Sequence, residues 1–208
     1  MERIIWLAVG YVFGLFQTGY IYGKAHGIDI RQHGSGNSGS TNALRVLGKK
    51  AGLTVFAGDV IKTVVPCLLA RLLTADQEWT YVYMLYAGLG VILGHNFPFY
   101  LHFKGGKGIA ATAGVIASID WRLACICLAC FVAIVFCTRY VSVGSLVVSL
   151  ILFVWNLLMG GRYGLSGMAF WEYLAVTGVM VVMAFWRHRA NLVRLAHGNE
   201  NKIGAKKQ

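Results

Sequence analysis

The chain has 208 residues, 57% of them hydrophobic and 13% charged, and 19 basic against 8 acidic residues give a formal net charge of +11. A soluble domain averages about 25% charged residues. The composition therefore excludes an ordinary soluble enzyme, a disordered chain and a small disulfide scaffold, and leaves a polytopic membrane protein in one domain, 1–208.

A spanning helix needs about 20 mainly apolar residues. In chain order the candidates are 2–23, 52–73, 79–97, 109–118, 121–138, 143–159 and 171–187, an all-α bundle of seven helices. The first follows Glu2-Arg3 with no small-x-small cleavage site after it, so it reads as a retained helix and not a signal peptide. The stretch 109–138 is too long for one span and breaks at Ser118-Ile119-Asp120-Trp121-Arg122. Its first half, too short to cross alone, is expected to lie tilted or half-inserted behind a loop. Cys67, Cys125, Cys127, Cys130 and Cys137 all lie in apolar runs; the run of Cys125, Cys127 and Cys130 holds no His or acidic residue that would complete a metal cluster, and the thiols read as packed in membrane helices.

The cations sort by side. Arg3, Arg71, Arg122 and Arg162 fall on one face, Lys62 lies inside a helix, and the other fourteen fall on the opposite face. The positive-inside rule makes the rich face cytosolic, with the N-terminus outside and the C-terminus inside. The loops of unusual composition, 33–48, 94–108 and 187–204, are all on that rich face, joined there by 139–145.

The first of these loops, His33 to Arg45, holds Gly34-x-Gly36-x-x-Gly39. This matches a dinucleotide fingerprint in letters only, because no strand precedes it. Small residues still let backbone amides converge on an anion. Ser35, Asn37, Thr41 and Asn42 add donors, and Arg45 adds a planar fork suited to phosphate. A plain flexible connection is the alternative. In the second loop, Lys104-Gly105-Gly106-Lys107-Gly108 leads straight into a helix, a natural anion site carrying two cations. It is not a Walker A loop, and a basic interfacial loop is its alternative. His95 fits a structural or a substrate role equally. In the third loop, His188 and Asn191 are i, i+3 neighbours if the last helix continues, so both can address one substrate. Arg187, Arg189 and Arg194 can serve simply as headgroup anchors. Asp59 and Lys62, also i, i+3, read as a neutralising pair inside the membrane. Ser142 is a helix N-cap or a ligand donor. An organic-anion transporter and a lipid-binding scaffold fit the composition as well. The ordered Ser, Asn, His and Gly pattern on one face, and the lack of an internal repeat, favour an enzyme.

Three motifs in order, Ser35-Gly-Asn-x-Gly-x-Thr41-Asn42, Gly94-His-x-Phe-Pro98 with Phe103-Lys-Gly-Gly-Lys-Gly108, and Arg187-His-Arg-x-Asn191 with Arg194-Leu195 and Gly198-x-Glu-x-Lys-Ile-Gly204, resemble the bacterial acyl-phosphate:glycerol-3-phosphate acyltransferases (the PlsY family). The resemblance covers the whole chain. It departs at Ser38, Ser40 and Ala190, where proline, alanine and glutamate are usual. It implies a multi-pass protein of the bacterial cytoplasmic (inner) membrane with its site on the cytosolic face. The implied reaction transfers a long-chain acyl group from acyl phosphate to the 1-hydroxyl of glycerol 3-phosphate, giving lysophosphatidic acid and inorganic phosphate. No cofactor, metal or nucleic acid is implied, and the partners are the two substrates and membrane lipids. By motif match, Ser35, Arg45, Lys104, Ser142, His188 and Asn191 hold and orient glycerol 3-phosphate. The loop of Lys104, Gly105, Gly106, Lys107 and Gly108 and the Thr41 and Asn42 amides hold the acyl-phosphate head, and Asn37 is a further substrate-binding residue.

Overall fold

The computed structural model describes residues 1–75 and 78–204, and among them every regular element is helical. Lys206 and Lys207, counted with the rich face, lie outside the described residues. The α-helices are α1 Glu2–Gly14, α2 Thr18–Ala25, α3 Ser40–Leu73, α4 Thr80–Asn96, α5 Ile109–Ile119, α6 Trp121–Thr138, α7 Val141–Met159, α8 Gly167–Arg187 and α9 Arg189–Ala196. Five segments are long and apolar enough to cross a membrane: Glu2–Ala25, Ser40–Leu73, Trp121–Thr138, Val141–Tyr163 and Gly167–Arg187.

The nine α-helices among the described residues outnumber the seven expected for identifiable reasons. The first helix breaks between α1 and α2. There the fully buried Gln17 amide donates to the carbonyls of Gly14, Gly94 and His95 at 3.1, 3.2 and 3.1 Å. The side chain satisfies backbone groups that the break would leave bare inside a bundle. Helix α3 starts twelve residues earlier than expected and kinks at Gly48, whose φ of 87° and ψ of −176° suit glycine. His188 separates α8 from the short α9, so the last helix does not run on unbroken.

Helix α4 is apolar all round and buried along nearly its whole length, which makes it the core element of the bundle. It packs on α1 through Gly10 and Gly14 on one side and Gly90 and Gly94 on the other. A Cβ on Gly10 would sit 2.8 Å from the Ala87 carbonyl carbon, and one on Gly90 2.8 Å from the Tyr11 nitrogen. Two small-xxx-small stripes thus bring two backbones into contact, the usual way to pack helices where burial offers no drive.

The break expected near residue 120 is present. Asp120 caps α6 by accepting from the Arg122 amide at 2.9 Å, pairs with the Arg122 guanidinium at 2.8 Å and accepts from Tyr163 Oη at 3.0 Å. Helix α5 joins this end of the bundle to the opposite one, yet its 11 residues rise only about 16 Å. The loop before it is accordingly sunk into the bundle, with Gly105, Gly106 and Gly108 buried. Cys67 and Cys127 are packed, whereas Cys125 and Cys137 lie on the outer face of the peripheral α6, contrary to the packed-thiol expectation.

Candidate functional site

The loops singled out in the sequence meet at one end of the bundle. Lys107 donates to Asn191 Oδ1. Arg45 donates to the Asn201 carbonyl at 3.3 Å, and the Ile203 amide to the Arg139 carbonyl at 2.9 Å. The tail after α9 therefore crosses both α3 and the turn between α6 and α7.

The glycine loop owes its shape to one residue. Asn42, buried in the first turn of α3, donates through Nδ2 to the carbonyls of Ile30, His33 and Asn37 at 3.1, 3.0 and 2.9 Å. Its Oδ1 accepts from the Ser35 amide at 2.9 Å. The Asn42 amide donates to the Gly39 carbonyl. Neither its side chain nor its amide is turned toward a ligand, so Asn42 builds the loop from behind. Asn37 Oδ1 caps the Gly39 amide at 2.9 Å. The Ser40 and Thr41 amides are left at the open end of the helix. Ser35 is exposed on the loop, and Ser38, buried, donates to Gln17 Oε1 at 3.4 Å.

The second loop also differs from a simple amide cradle. The Gly105 and Gly106 amides donate to the Asn96 and His95 carbonyls at 3.2 and 3.0 Å, back into the end of α4. A Cβ on Gly106 would meet the His95 ring, so these glycines serve close packing of the loop on the end of α4. Gly108, with φ at 82°, begins α5, and the amides that follow form the open N-terminus. His95 itself is buried in a fixed network. Lys62 Nζ lies 2.9 Å from His95 Nδ1, donates to the Phe16 carbonyl at 2.7 Å and pairs with Asp59 Oδ1 at 2.8 Å. Asp59 and Lys62 form the pair expected from their spacing.

Two sub-sites result. The first is an open cleft of about 500 Å³ lined by Asp29, Arg31, Gly36, Asn37, Lys104 and Arg187, among others. Lys104 is exposed there. Arg31 is held by Asp29, whose carboxyl drops to about 2 because the guanidinium hydrogen-bonds it. The second is a cluster around Lys107, Ser142, His188 and Asn191. Its hub is Glu200, a buried carboxylate accepting from Ser142 Oγ at 3.1 Å, Asn191 Nδ2 at 2.6 Å and Arg194 Nε at 2.8 Å. The charges of Glu200, Arg194, Arg187 and Arg45 all bear on Lys107. Burial above all brings the Lys107 ammonium down to about 8. Burial, then the Lys107 charge, holds the His188 imidazole down to about 4, so it is neutral at pH 7. His188 Nδ1 bonds the Ala184 carbonyl at 2.7 Å, which fixes the proton on Nδ1 and leaves the Nε2 lone pair free.

Glu200 and Arg187 carry parts that their sequence positions did not reveal. Arg187 and Arg194 turn inward to protein acceptors, while Arg189 stays exposed over the Trp186 ring and fits the headgroup-anchor reading. An acid in an otherwise basic tail was the available signal for Glu200.

Comparison with known proteins gives one family throughout. The family model described as glycerol-3-phosphate acyltransferase matches residues 4–198. Curated proteins named glycerol-3-phosphate acyltransferase include one from Prochlorococcus marinus (strain NATL2A), 38% identical over 97% of this chain and 98% of that protein. Another, from Alkaliphilus metalliredigens (strain QYMF), is 43% identical over 99% of this chain and 98% of that protein. Among solved structures, the glycerol 3-phosphate form of PlsY (YgiH), an integral membrane glycerol 3-phosphate acyltransferase, superposes with a TM-score of 0.86 at 30% identity, covering 98% of this chain and 96% of that one. The lysophosphatidic acid form of the same protein gives 0.84.

Proposed function

Because this chain belongs to the glycerol-3-phosphate acyltransferase family, and is therefore an acyltransferase, we propose that its donor is a long-chain acyl phosphate and its products are lysophosphatidic acid and inorganic phosphate. The observation that carries this reading is the meeting of two glycine loops, Arg45, Lys104, Lys107 and a neutral His188 at one end of an apolar bundle. Two phosphate-bearing substrates bring about −3 to −4 of charge, and these cations and open helix N-termini answer it. The lipid tail of the donor and of the product lies in the bilayer.

Arg45, Lys104, Ser142, His188 and Asn191, with Ser35, hold glycerol 3-phosphate and orient its 1-hydroxyl. The segment Lys104–Gly108, with Asn37 and the Thr41 amide, holds the acyl-phosphate head. Asn42 contributes by fixing the loop. The hydroxyl oxygen forms the new bond to the acyl carbon, and the bond from that carbon to the phosphate oxygen breaks. The proton passes to the departing phosphate: the acyl-phosphate dianion leaves as a trianion, a far stronger base than the His188 imidazole at about 4, and is released as the hydrogen-phosphate dianion. His188 Nε2 accepts the hydroxyl hydrogen bond and orients it. Cations and amides stabilise the developing oxyanion and the leaving phosphate. Attack is direct: among the described residues no imidazole or carboxylate hydrogen-bonds Ser35 Oγ. The N-terminus lies outside and the C-terminus in the cytosol, which puts the site on the cytosolic face of the bacterial inner membrane with the cation-rich loops.

Purified Arg45→Ala and Lys104→Ala proteins are expected to lose most turnover in detergent. Near-normal turnover would overturn the assignment, and an acyl-Ser35 adduct trapped by mass spectrometry would reject direct attack.

A further inference from the structure

Arg187 is the last residue of α8 and immediately precedes His188. Its guanidinium does not reach for headgroups. Nη2 donates to the Gly106 carbonyl at 2.6 Å and the Gly105 carbonyl at 3.1 Å, and Nε donates to Gly106 at 3.1 Å. Its Cζ lies over the Phe97 ring, 5.1 Å from the centroid. On the opposite edge, the amides of the same two glycines donate to the Asn96 and His95 carbonyls. We infer that Arg187 is a positioning residue for the acyl-phosphate loop, clamping the Gly105–Gly106 peptides so that Lys104 and Lys107, which flank them, keep one relative geometry.

The physical case rests on how easily glycine peptides rotate. Without a Cβ, neither residue resists a flip through its own sterics. The Gly105–Gly106 unit is held at its C=O by Arg187 and at its N–H by the His95 carbonyl, so it cannot flip, and the Gly106–Lys107 unit is held at its C=O by Arg187. The rigid planar group sets Nη2 on both carbonyls and Nε on Gly106, whereas a lysine ammonium in the same place is a point charge on a flexible stem. Because His188 is the next residue, the same helix end also ties the loop to the cluster around Glu200. The inference rests on the acyl-phosphate reading of the loop.

The test is steady-state kinetics of purified enzyme in detergent, varying each substrate separately, on wild type, Arg187→Ala and Arg187→Lys, with thermal unfolding alongside. Wild-type turnover of acyl phosphate checks the underlying reading by itself, whatever the variants do. For Arg187→Ala the expected result is a loss of about 30-fold or more in kcat/KM for acyl phosphate, larger than the rise in KM for glycerol 3-phosphate, which Lys104 also holds. Arg187→Lys should recover no more than about a tenth of the wild-type value, and added guanidinium, but not ammonium, should raise Arg187→Ala activity about fivefold. Should Arg187→Ala not purify as folded protein, the donor-selective loss in Arg187→Lys carries the test. Wild-type kinetics in either variant would overturn the proposal. So would a loss shared equally by both substrates and unmoved by guanidinium, which marks a merely structural residue.

Discussion

Replacing Gly106 by alanine puts a methyl group where the His95 ring already is. The added Cβ would lie 2.8 Å from both Cδ2 and Cε1 and closer still to Nε2, whereas ordinary contact begins near 3.4 Å. One partner must give by more than half an ångström at the ring carbons and further at Nε2. The ring cannot, because it is buried and its Nδ1 sits 2.9 Å from the Lys62 ammonium. The loop moves instead, and it breaks its bonds to Arg187 and to the α4 carbonyls as it does. Overpacking of this kind costs about 1–3 kcal/mol of stability. A displacement of ~1 Å at reacting groups costs about 100-fold in rate. The predicted result is a drop of about 100-fold in kcat/KM for the acyl donor in detergent, in protein that still purifies as folded. Gly161→Ala is the control, since a Cβ there meets nothing within 4 Å. A Gly106→Ala enzyme within threefold of wild type would refute the assignment of this glycine to close packing beneath the site.

Asn42→Ala removes from the loop over residues 30–42 the two N–H donors that reach three carbonyls and the one acceptor of the Ser35 amide. At about 0.5–1.5 kcal/mol per bond it should destabilise by about 2–4 kcal/mol and abolish acylation, measured by thermal unfolding and turnover; unchanged stability would remove Asn42 from its supporting role. Glu200→Gln keeps the shape but presents an amide donor to Ser142, Asn191 and Arg194. It should lower both turnover and unfolding temperature, and the test is whether Glu200→Asp restores part of each. For pH, His188 titrates near 4, below its ordinary 6.5, so its neutral form persists on the acid side. Between pH 7 and 5 the loss should follow only the second ionisation of the substrate phosphates, at about 6, and the loss from His188 itself should come only toward 4. Lys107, brought down to about 8, loses its charge as pH rises, so kcat/KM should fall through an alkaline limb near 8. A second acid limb near 6.5, in addition to that of the substrate phosphates, would place a different histidine, or a solvated one, in the site.

Much of the scaffold is legible from local signals. The break at Asp120 and the extents of α4 and α6 follow from apolar runs and a capping acid, which act within a turn or two. What escapes the sequence depends on partners far away in the chain. The stripes Gly10-x-x-x-Gly14 and Gly90-x-x-x-Gly94 are each readable, but that they face each other is a fact of packing. Gln17 looks like an ordinary polar residue near a helix end until the carbonyls of Gly94 and His95 are seen beside it. The cations and the loops of the site are readable from composition. The direction of the Gly105 and Gly106 amides is not, because it is set by the end of α4. Glu200 becomes a hub only through contacts with α7 and α9.

The donor is the most direct point of test. Purified protein in detergent should convert glycerol 3-phosphate and a long-chain acyl phosphate to lysophosphatidic acid, with one inorganic phosphate released per acyl group transferred. No transfer should occur when long-chain acyl-CoA replaces the acyl phosphate. Transfer from acyl-CoA at a comparable rate, or no acylation with acyl phosphate, would contradict the account.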